Sequence, residues 1–150
     1  MVSRRTAKKT KPDAYFLDAN VLMYAAGGPH ALREPCRAAL DAAVTQRVSL
    51  VTDSEVLQEI LYRYFALEKP DIAREVYQAA IGLCDAVLPI TEDTTARARE
   101  LLLHYPALST RDAIHVASME EAGLRRLLST DGDFDGLAEV RRVDPREFST

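Results

Sequence analysis

Short apolar runs alternate with longer amphipathic stretches along this chain. The first run, Tyr15-Phe16-Leu17, stops at Asp18, a residue type that follows a buried strand and caps the next helix. Runs of three or four residues are too short for helices. They predict five strands, at residues 15–17, 48–51, 86–88, 126–129 and 140–143.

The stretches between these runs carry apolar residues three and four positions apart, which is the spacing of a helix that buries one face. The widest such stripe, from Val56 to Phe65, follows Thr52-Asp53-Ser54, where we expect the helix to begin. Other helices are predicted over residues 21–25, 31–45, 70–84, 91–104, and from Ser109 or Thr110 to Gly123. Strands that alternate with helices predict a three-layer, Rossmann-like α/β fold with a short, mainly parallel central sheet flanked by helices.

Composition favours a single domain. The 150 residues, 47% of them hydrophobic, are enough to bury one core. The two cysteines, Cys36 and Cys84, are too few for a disulfide framework and lack the spacing of a zinc site. No apolar run approaches the roughly 18 residues of a membrane span, and no apolar segment follows the basic N-terminus as in a secretory signal. We therefore expect a cytoplasmic protein without a membrane segment.

Charge is distributed unevenly along the chain. Residues 1–13 carry a net charge of +4, whereas the remainder, with 14 basic and 22 acidic residues, carries −8. Because nucleic-acid readers usually present a positive face, the acidic body argues against a passive nucleic-acid binder and leaves room for a cation site. We predict a disordered basic arm over residues 1–13 and a single domain over residues 14–150.

Acidic residues follow the predicted strands. In a parallel sheet flanked by helices, the active crevice lies beyond the carboxyl ends of the strands. Carboxylates held close together there repel each other, and a divalent cation removes that repulsion; oxygen ligands suit Mg²⁺ or Mn²⁺. The residues concerned are Asp18 and Asn20 after the first strand, Glu55 and Glu59 after the second, Asp112 in a first helical turn, and Asp131, Asp133 and Asp135 after the fourth.

Each of these carboxylates also has a purely structural explanation. Asp18 and Asp112 stand where an aspartate caps a helix or complements its dipole. Glu59 precedes Arg63 by four residues, the spacing of a surface ion pair on a helix, and Asp131 suits a turn. These explanations weaken when taken together, because four independent accidents would have to fall at the same edge of one sheet.

Four blocks of sequence resemble the signature blocks of the PIN domain and, within that family, the VapC-type toxins of bacterial and archaeal toxin–antitoxin pairs. The blocks are residues 15–22 (YFLDANVL), 55–61 (EVLQEIL), 110–117 (TRDAIHVA) and 129–135 (STDGDFD), and the resemblance covers residues 14–145. It implies a PIN fold and a metal-dependent endoribonuclease, whose catalytic acids would be Asp18, Glu59, Asp112 and Asp131. Glu55 is the alternative to Glu59, in a context that matches the family block less well.

The resemblance also implies roles around these acids. Asp18, Asp112 and Asp131 would hold Mg²⁺ or Mn²⁺. Three further polar residues would orient the ligands or the substrate: Asn20, Thr130 and Asp133. His115 forms an Asp-x-x-His pair with Asp112, but we interpret it as a structural residue, because its helix has to pack on the sheet.

Expected partners follow from the same resemblance: RNA as the substrate, a small antitoxin protein, and a second copy of the chain in a homodimer. The antitoxin would dock on the exposed part of the helix that bears Tyr62, Tyr64 and Phe65, because aromatic residues dominate such anchors. RNA phosphates would contact Arg111, Arg125 or Arg126.

Other functional classes fit less well. A PIN-fold RNA-processing protein is the first alternative. A non-catalytic RNA-binding module of the same fold would not need all four acids. A receiver-like signalling domain also gathers acids around Mg²⁺, but it needs a lysine after a late strand, and Lys69 is the only lysine beyond residue 13.

Overall fold

The central sheet of the molecule has five short strands. The computed structural model describes residues 10–11 and 13–148, so most of the predicted basic arm, residues 1–13, lies outside the described residues. The strands are β1 (Tyr15–Leu17), β2 (Leu50–Asp53), β3 (Ala86–Leu88), β4 (Arg126–Leu128) and β5 (Arg141–Val143). Their order is β3-β2-β1-β4-β5, and every neighbouring pair is parallel. The predicted short parallel sheet is confirmed.

Seven α-helices occur in the described part of the chain and flank this sheet, close to the predicted positions. They are α1 (Ala19–Ala26), α2 (Arg33–Thr45), α3 (Ser54–Ala66), α4 (Pro70–Leu83), α5 (Glu92–His104), α6 (Thr110–Glu121) and α7 (Pro145–Phe148), with a 3₁₀ turn at Gly132–Phe134. The sequence pattern does not predict α7, because four residues are too few to show a helical period. None of the helices described is both long and apolar enough to span a bilayer.

Strand β2 lies two residues later than predicted, because its last two residues are polar yet completely buried. The apolar residues predicted this strand at 48–51, but the Val48 N–H bonds back to the Ala43 carbonyl of α2 at 2.9 Å, and the strand begins only at Leu50. The strand continues through Thr52 and Asp53. The Thr52 hydroxyl donates a hydrogen bond to the Leu17 carbonyl (3.0 Å). Hydrogen bonding thus allows polar groups into a strand where a hydrophobic pattern cannot place them.

Two aspartates turn the chain from strand into helix at the carboxyl edge of the sheet. Asp18 follows β1 and accepts the Ala19 N–H at 2.7 Å. Asp53 ends β2 and accepts the Val56 N–H at 2.9 Å. Each carboxylate satisfies a donor that the first helical turn leaves unpaired. The same bonds fix both carboxylates at the ends of neighbouring strands.

The apolar stripe of α3 is divided between the core and the surface. Ile60 and Tyr64 are buried, whereas Leu61 and Phe65 are 39% and 59% exposed, and Tyr62 is 66% exposed. Tyr64 was expected on the exposed docking surface with Tyr62 and Phe65, and that expectation is wrong for Tyr64 because its side chain is buried. The stripe spans more of the helix circumference than the core can cover, so its edge is left on the surface.

Gly123 follows the end of α6 with a φ of +73°, as expected for the glycine that terminates a helix. A side chain there would strain the backbone, although open space surrounds the position. We expect Gly123→Ala to lower the free energy of unfolding by about 1 kcal/mol.

Gly82, in the last turn of α4, is the matched control, since open space surrounds it too and its backbone is helical. Gly82→Ala should raise the free energy of unfolding by roughly 0.5 kcal/mol. Urea denaturation of both variants measures the two changes, and shifts of the same sign would contradict the left-handed conformation of Gly123.

Candidate active site

Asp18 is buried at the carboxyl end of the central strand β1. Beyond capping α1, its carboxylate accepts the Ser129 hydroxyl at 2.8 Å and the Asn20 amide at 3.2 Å. Burial raises the pKa of Asp18 and the Asp131 carboxylate adds to the rise, although His115 and the hydrogen bonds oppose it. Asp18 is therefore fixed where its charge is unfavourable, as in sites that use a perturbed carboxylate.

Ser129 joins the ends of β1 and β4, a role that no pattern in the sequence indicated. Its hydroxyl donates to Asp18 and accepts the Asn20 amide (3.1 Å) and the Asp131 N–H (3.0 Å), so its full hydrogen-bonding capacity is used. Asn20 in turn accepts the Thr130 N–H at 3.2 Å. Of the predicted orienting residues, Asn20 thus contacts Asp18 directly, while Thr130 contributes its backbone.

The loop after β4 holds Asp131 at the same edge of the sheet. Asp131 accepts the Asp133 N–H at 2.9 Å and begins the 3₁₀ turn, as its turn explanation requires. Arg142 braces the loop, because it donates to the Ser129 carbonyl (3.1 Å) and to both oxygens of Asp135 (2.7 and 3.0 Å). The Asp135 carboxylate is therefore engaged by Arg142 and helps to hold the loop.

Asp112 lies in the first turn of α6. Ser109 caps the helix and accepts the Asp112 N–H at 3.1 Å. A helix N-terminus favours a negative charge and would lower the pKa of a carboxyl group. Here burial, with the carboxylates of Asp18 and Asp131, raises the pKa of Asp112 to about 6. The helix dipole alone therefore does not explain this residue.

Glu59 of α3 pairs with Arg111 of α6, whose Nη1 donates to Glu59 Oε1 at 2.6 Å. Arg111 Nε also lies 3.6 Å from Glu55 Oε1. The alternative explanation of Glu59 as the partner of Arg63 is wrong, because Arg111 of α6 engages the Glu59 carboxylate instead. Burial and the nearby Asp18 raise the pKa of Glu59 in spite of Arg111.

Of the three arginines expected to contact RNA, Arg111 lies in the acidic cluster. Arg126 begins β4 and donates to the Tyr15 hydroxyl at 3.0 Å. Arg125 precedes it and lines a cavity with Glu120. Because the acids follow the carboxyl ends of the strands, these two arginines lie at the opposite edge of the sheet. The expectation that they contact RNA beside the acids is wrong.

His115, interpreted from the sequence as a structural residue, lies beside Asp18 and Glu59. It is completely buried in α6, and its Nδ1 lies 2.8 Å from Asp53 Oδ2. Burial by itself lowers the pKa of His115, but the carboxylates of Asp53, Asp18 and Glu59 outweigh it and raise the pKa to about 9. The sequence signal for His115 was its spacing from Asp112. That spacing does not indicate Asp53, which only the fold brings to the ring.

Among the residues that the structure describes, the potential metal ligands form two groups. One ligand atom from each residue of a group lies within 4.8 Å of the others. The two groups adjoin, because Asp131 of one group raises the pKa of Asp18 in the other, and Asp18 raises the pKa of Asp112. The site thus brings together all four acids singled out in the sequence. The first group is Asp18, Glu59 and His115, and the second is Asp112, Asp131 and Asp133.

This donor set fits a divalent cation. Carboxylates that are buried among one another repel, and a bound cation converts that repulsion into attraction. Oxygen ligands in such numbers suit Mg²⁺ or Mn²⁺. The arrangement can therefore hold a cation and present it to a ligand that reaches this edge of the sheet.

Comparison with known proteins agrees with this geometry. Residues 15–140 match the family model of the PIN domain. The chain belongs to the PIN-domain family. Ribonuclease VapC13 of Mycobacterium tuberculosis is 39% identical over 127 residues, which cover 85% of this chain and 97% of that protein. Ribonuclease VapC23 of the same organism is 32% identical over 116 residues, or 77% and 91% of the two chains.

Solved structures share the PIN fold. Mycobacterium tuberculosis VapC20, a sarcin–ricin loop cleaving toxin, aligns with a TM-score of 0.68 and 24% identity over 85% of this chain and 99% of that one. A toxin–antitoxin complex from Klebsiella pneumoniae aligns with a TM-score of 0.65 and 18% identity over 89% and 99% of the two chains. The PIN resemblance and the α/β fold class are confirmed, and the receiver-like alternative is excluded.

Replacement of Asp112 tests whether repulsion or the helix dipole dominates in this PIN domain. Its pKa is raised from 3.8 to about 6, so between these values the folded state binds more protons than the unfolded chain and loses stability as the pH rises. Asp112→Asn removes this loss. Without metal, the variant should be at least as stable as the parent at pH 7, and its advantage should shrink towards pH 4.

Asp93 provides the control, because it is an exposed aspartate in the first turn of α5. Asp93→Asn should lose about 0.3–1 kcal/mol at pH 7 through the helix dipole. Thermal melts in chelator across this pH range measure both variants. A loss for Asp112→Asn that matches the loss for Asp93→Asn would show that the dipole explanation is correct.

Proposed function

We propose that this protein is a metal-dependent endoribonuclease that hydrolyses RNA phosphodiester bonds, with Asp18, Glu59, Asp112 and Asp131 as its catalytic acids. One observation carries the proposal: acids with raised pKa values converge at the carboxyl edge of the sheet. The substrate class is supported by the 39% identity to ribonuclease VapC13 of Mycobacterium tuberculosis. Burying several carboxylates together lowers the stability of the fold, and such clusters are typical of functional sites.

We assign the metal to Asp18, Asp112 and Asp131, and identify it as Mg²⁺ or Mn²⁺ from its oxygen ligands. When bound, such an ion lowers the pKa of a water molecule and stabilises the charge that develops on a phosphodiester. Asp133 adjoins these ligands and, with Asn20, orients them.

We assign to Glu59 the role of accepting the proton of the attacking water. Its Oε1 is engaged by Arg111, so we assign Oε2 to this task. A raised pKa makes the Glu59 carboxylate a stronger base. Arg111 pairs with Glu55 and Glu59 at the cluster, and we assign to it the neutralisation of an RNA phosphate that enters beside it.

Hydrolysis by water leaves a phosphate on the 5′ end of one product and a hydroxyl on the 3′ end of the other. The 2′-hydroxyl takes no part. The mechanism therefore differs in its products from ribonucleases that pass through a cyclic phosphate.

Cleavage should depend on both the cation and the acids. We expect loss of activity in chelator, recovery with Mg²⁺ or Mn²⁺, and a fall of at least about 100-fold for Asp112→Asn or Asp131→Asn. Asp93→Asn, outside the cluster, should cleave at the parental rate. Sequencing of RNA ends after induced expression identifies the products. Full activity in chelator, or 2′,3′-cyclic phosphate ends, would rule out metal-assisted hydrolysis.

We further propose that the protein acts as the toxin of a toxin–antitoxin pair and forms a homodimer. The Klebsiella pneumoniae structure of the same fold is a toxin–antitoxin complex. On this chain, a groove of about 690 Å³ is lined by Leu57, Leu61, Tyr62, Phe65 and Tyr77 of α3 and α4. Exposed aromatic residues around an apolar groove suit an amphipathic antitoxin segment.

The antitoxin surface is tested with the protein encoded beside this gene. Tyr62→Ala with Phe65→Ala should weaken its binding by about 2 kcal/mol or more. Leu103→Ala, which removes a 73% exposed leucine from α5, is the control and should bind as the parent does. Isothermal titration calorimetry measures the affinities. Equal binding by all variants would place the antitoxin elsewhere.

A further inference from the structure

His115 presents an unpaired ring nitrogen to two acids of the cluster. Its side chain is 1% exposed, and Nε2 has no hydrogen-bond partner among the residues that the structure describes. Nevertheless, ligand atoms of Asp18, Glu59 and His115 all lie within 4.8 Å of one another. A buried polar atom that makes no hydrogen bond is costly, so this nitrogen calls for a partner.

The spacing of these atoms matches the space that a cation needs. Ligands on opposite sides of an ion bound at about 2.1–2.2 Å lie about 4.2–4.4 Å apart. One oxygen of Asp18, one oxygen of Glu59 and one ring nitrogen of His115 are therefore already close to a common coordination sphere. Because Asp53 engages Nδ1, we assign Nε2 as the nitrogen that completes it. Direct hydrogen bonds from Nε2 to the carboxylates would instead require much shorter separations, near 2.8 Å.

The other side of the imidazole ring is held by a carboxylate. Nδ1 of His115 lies 2.8 Å from Asp53 Oδ2, which also accepts the Ser118 hydroxyl at 2.8 Å. A carboxylate acceptor holds a ring hydrogen on Nδ1, so a cation that binds at Nε2 displaces only the proton carried there. This carboxylate–histidine arrangement is the one that usually orients a metal-ligating imidazole.

We propose that Asp18, Glu59 and His115 form a mixed nitrogen and oxygen cation site, oriented by Asp53, that binds Mn²⁺ in preference to Mg²⁺. Imidazole is a ligand of transition metals, whereas Mg²⁺ prefers oxygen and its own water shell. The site adjoins the all-oxygen group of Asp112, Asp131 and Asp133. The inference rests on the proposed function, because it assigns the cation preference of the same acidic cluster. While a cation occupies this site, Glu59 is its ligand, and the role of proton acceptor assigned to Glu59 belongs to the state in which this site is empty.

The test uses Mn²⁺ as the probe and needs no RNA. Electron spin echo spectroscopy of Mn²⁺ bound to the full chain should show hyperfine coupling to the ring nitrogen of His115. His115→Gln should abolish that coupling and weaken Mn²⁺ binding at least about 10-fold, while Mg²⁺ binding changes less than about threefold. His104→Gln, which alters an exposed histidine on α5, should retain the coupling and both affinities.

Asp53→Asn provides a second variant that keeps nearly the same shape. An amide donor at this position would take the lone pair of Nδ1 and place the ring hydrogen on Nε2, which could then no longer bind a cation. We expect loss of the nitrogen coupling and a 10- to 100-fold weaker affinity for Mn²⁺. Circular dichroism of both variants establishes that they are folded before metal is added.

Absence of nitrogen coupling in the parent protein, or its persistence in folded His115→Gln or Asp53→Asn, would overturn the inference. Absence in the parent would leave His115 as a charged hydrogen-bond donor to the acids. Metal-dependent RNA cleavage without nitrogen coupling would contradict this inference alone. Nitrogen coupling in a protein that does not cleave RNA would contradict the proposed function alone.

Discussion

The position of Asp18 is the constraint on which the rest of the site depends. Strand β1 is the middle strand of the sheet, and the next residue has to cap α1, so the Asp18 carboxylate cannot leave the buried edge. Ser129 holds its other oxygen at the end of β4. Acids that arrive on neighbouring elements, such as Asp112 and Asp131, must therefore share a small volume with a charge that is already fixed.

The protein offsets this repulsion only in part. Arg111 pairs with Glu59, and His115 lies beside Asp18 and Glu59 with its Nδ1 held by Asp53. Even with these cations, the pKa of Asp112 remains raised to about 6. The remaining repulsion is the energy that a bound metal recovers, which connects the packing of the strands to the proposed chemistry. If no cation bound at this site, replacing one of the acids with a neutral residue would raise the stability of the protein.

Local patterns predicted the frame of this site but not all of its contacts. Asp18 was predictable because a strand, a cap and a helix follow one another in the sequence, and the quartet came from its resemblance to PIN motifs. Ser129 and Asp53 acquire their importance from strand order, which no local period reveals. Likewise, the spacing of Glu59 and Arg63 could not show that Arg111, 52 residues away, reaches the same carboxylate. Long-range contacts of this kind depend on how the helices pack.

Anomalous X-ray diffraction from crystals grown with Mn²⁺ tests the central claim most directly, since it locates the cation without reference to any activity. We predict a strong anomalous peak within about 2.3 Å of an Asp18 oxygen, between the carboxyl ends of β1 and β4. Ordered crystals that hold Mn²⁺ only at exposed carboxylates, with no peak beside Asp18, would contradict the account.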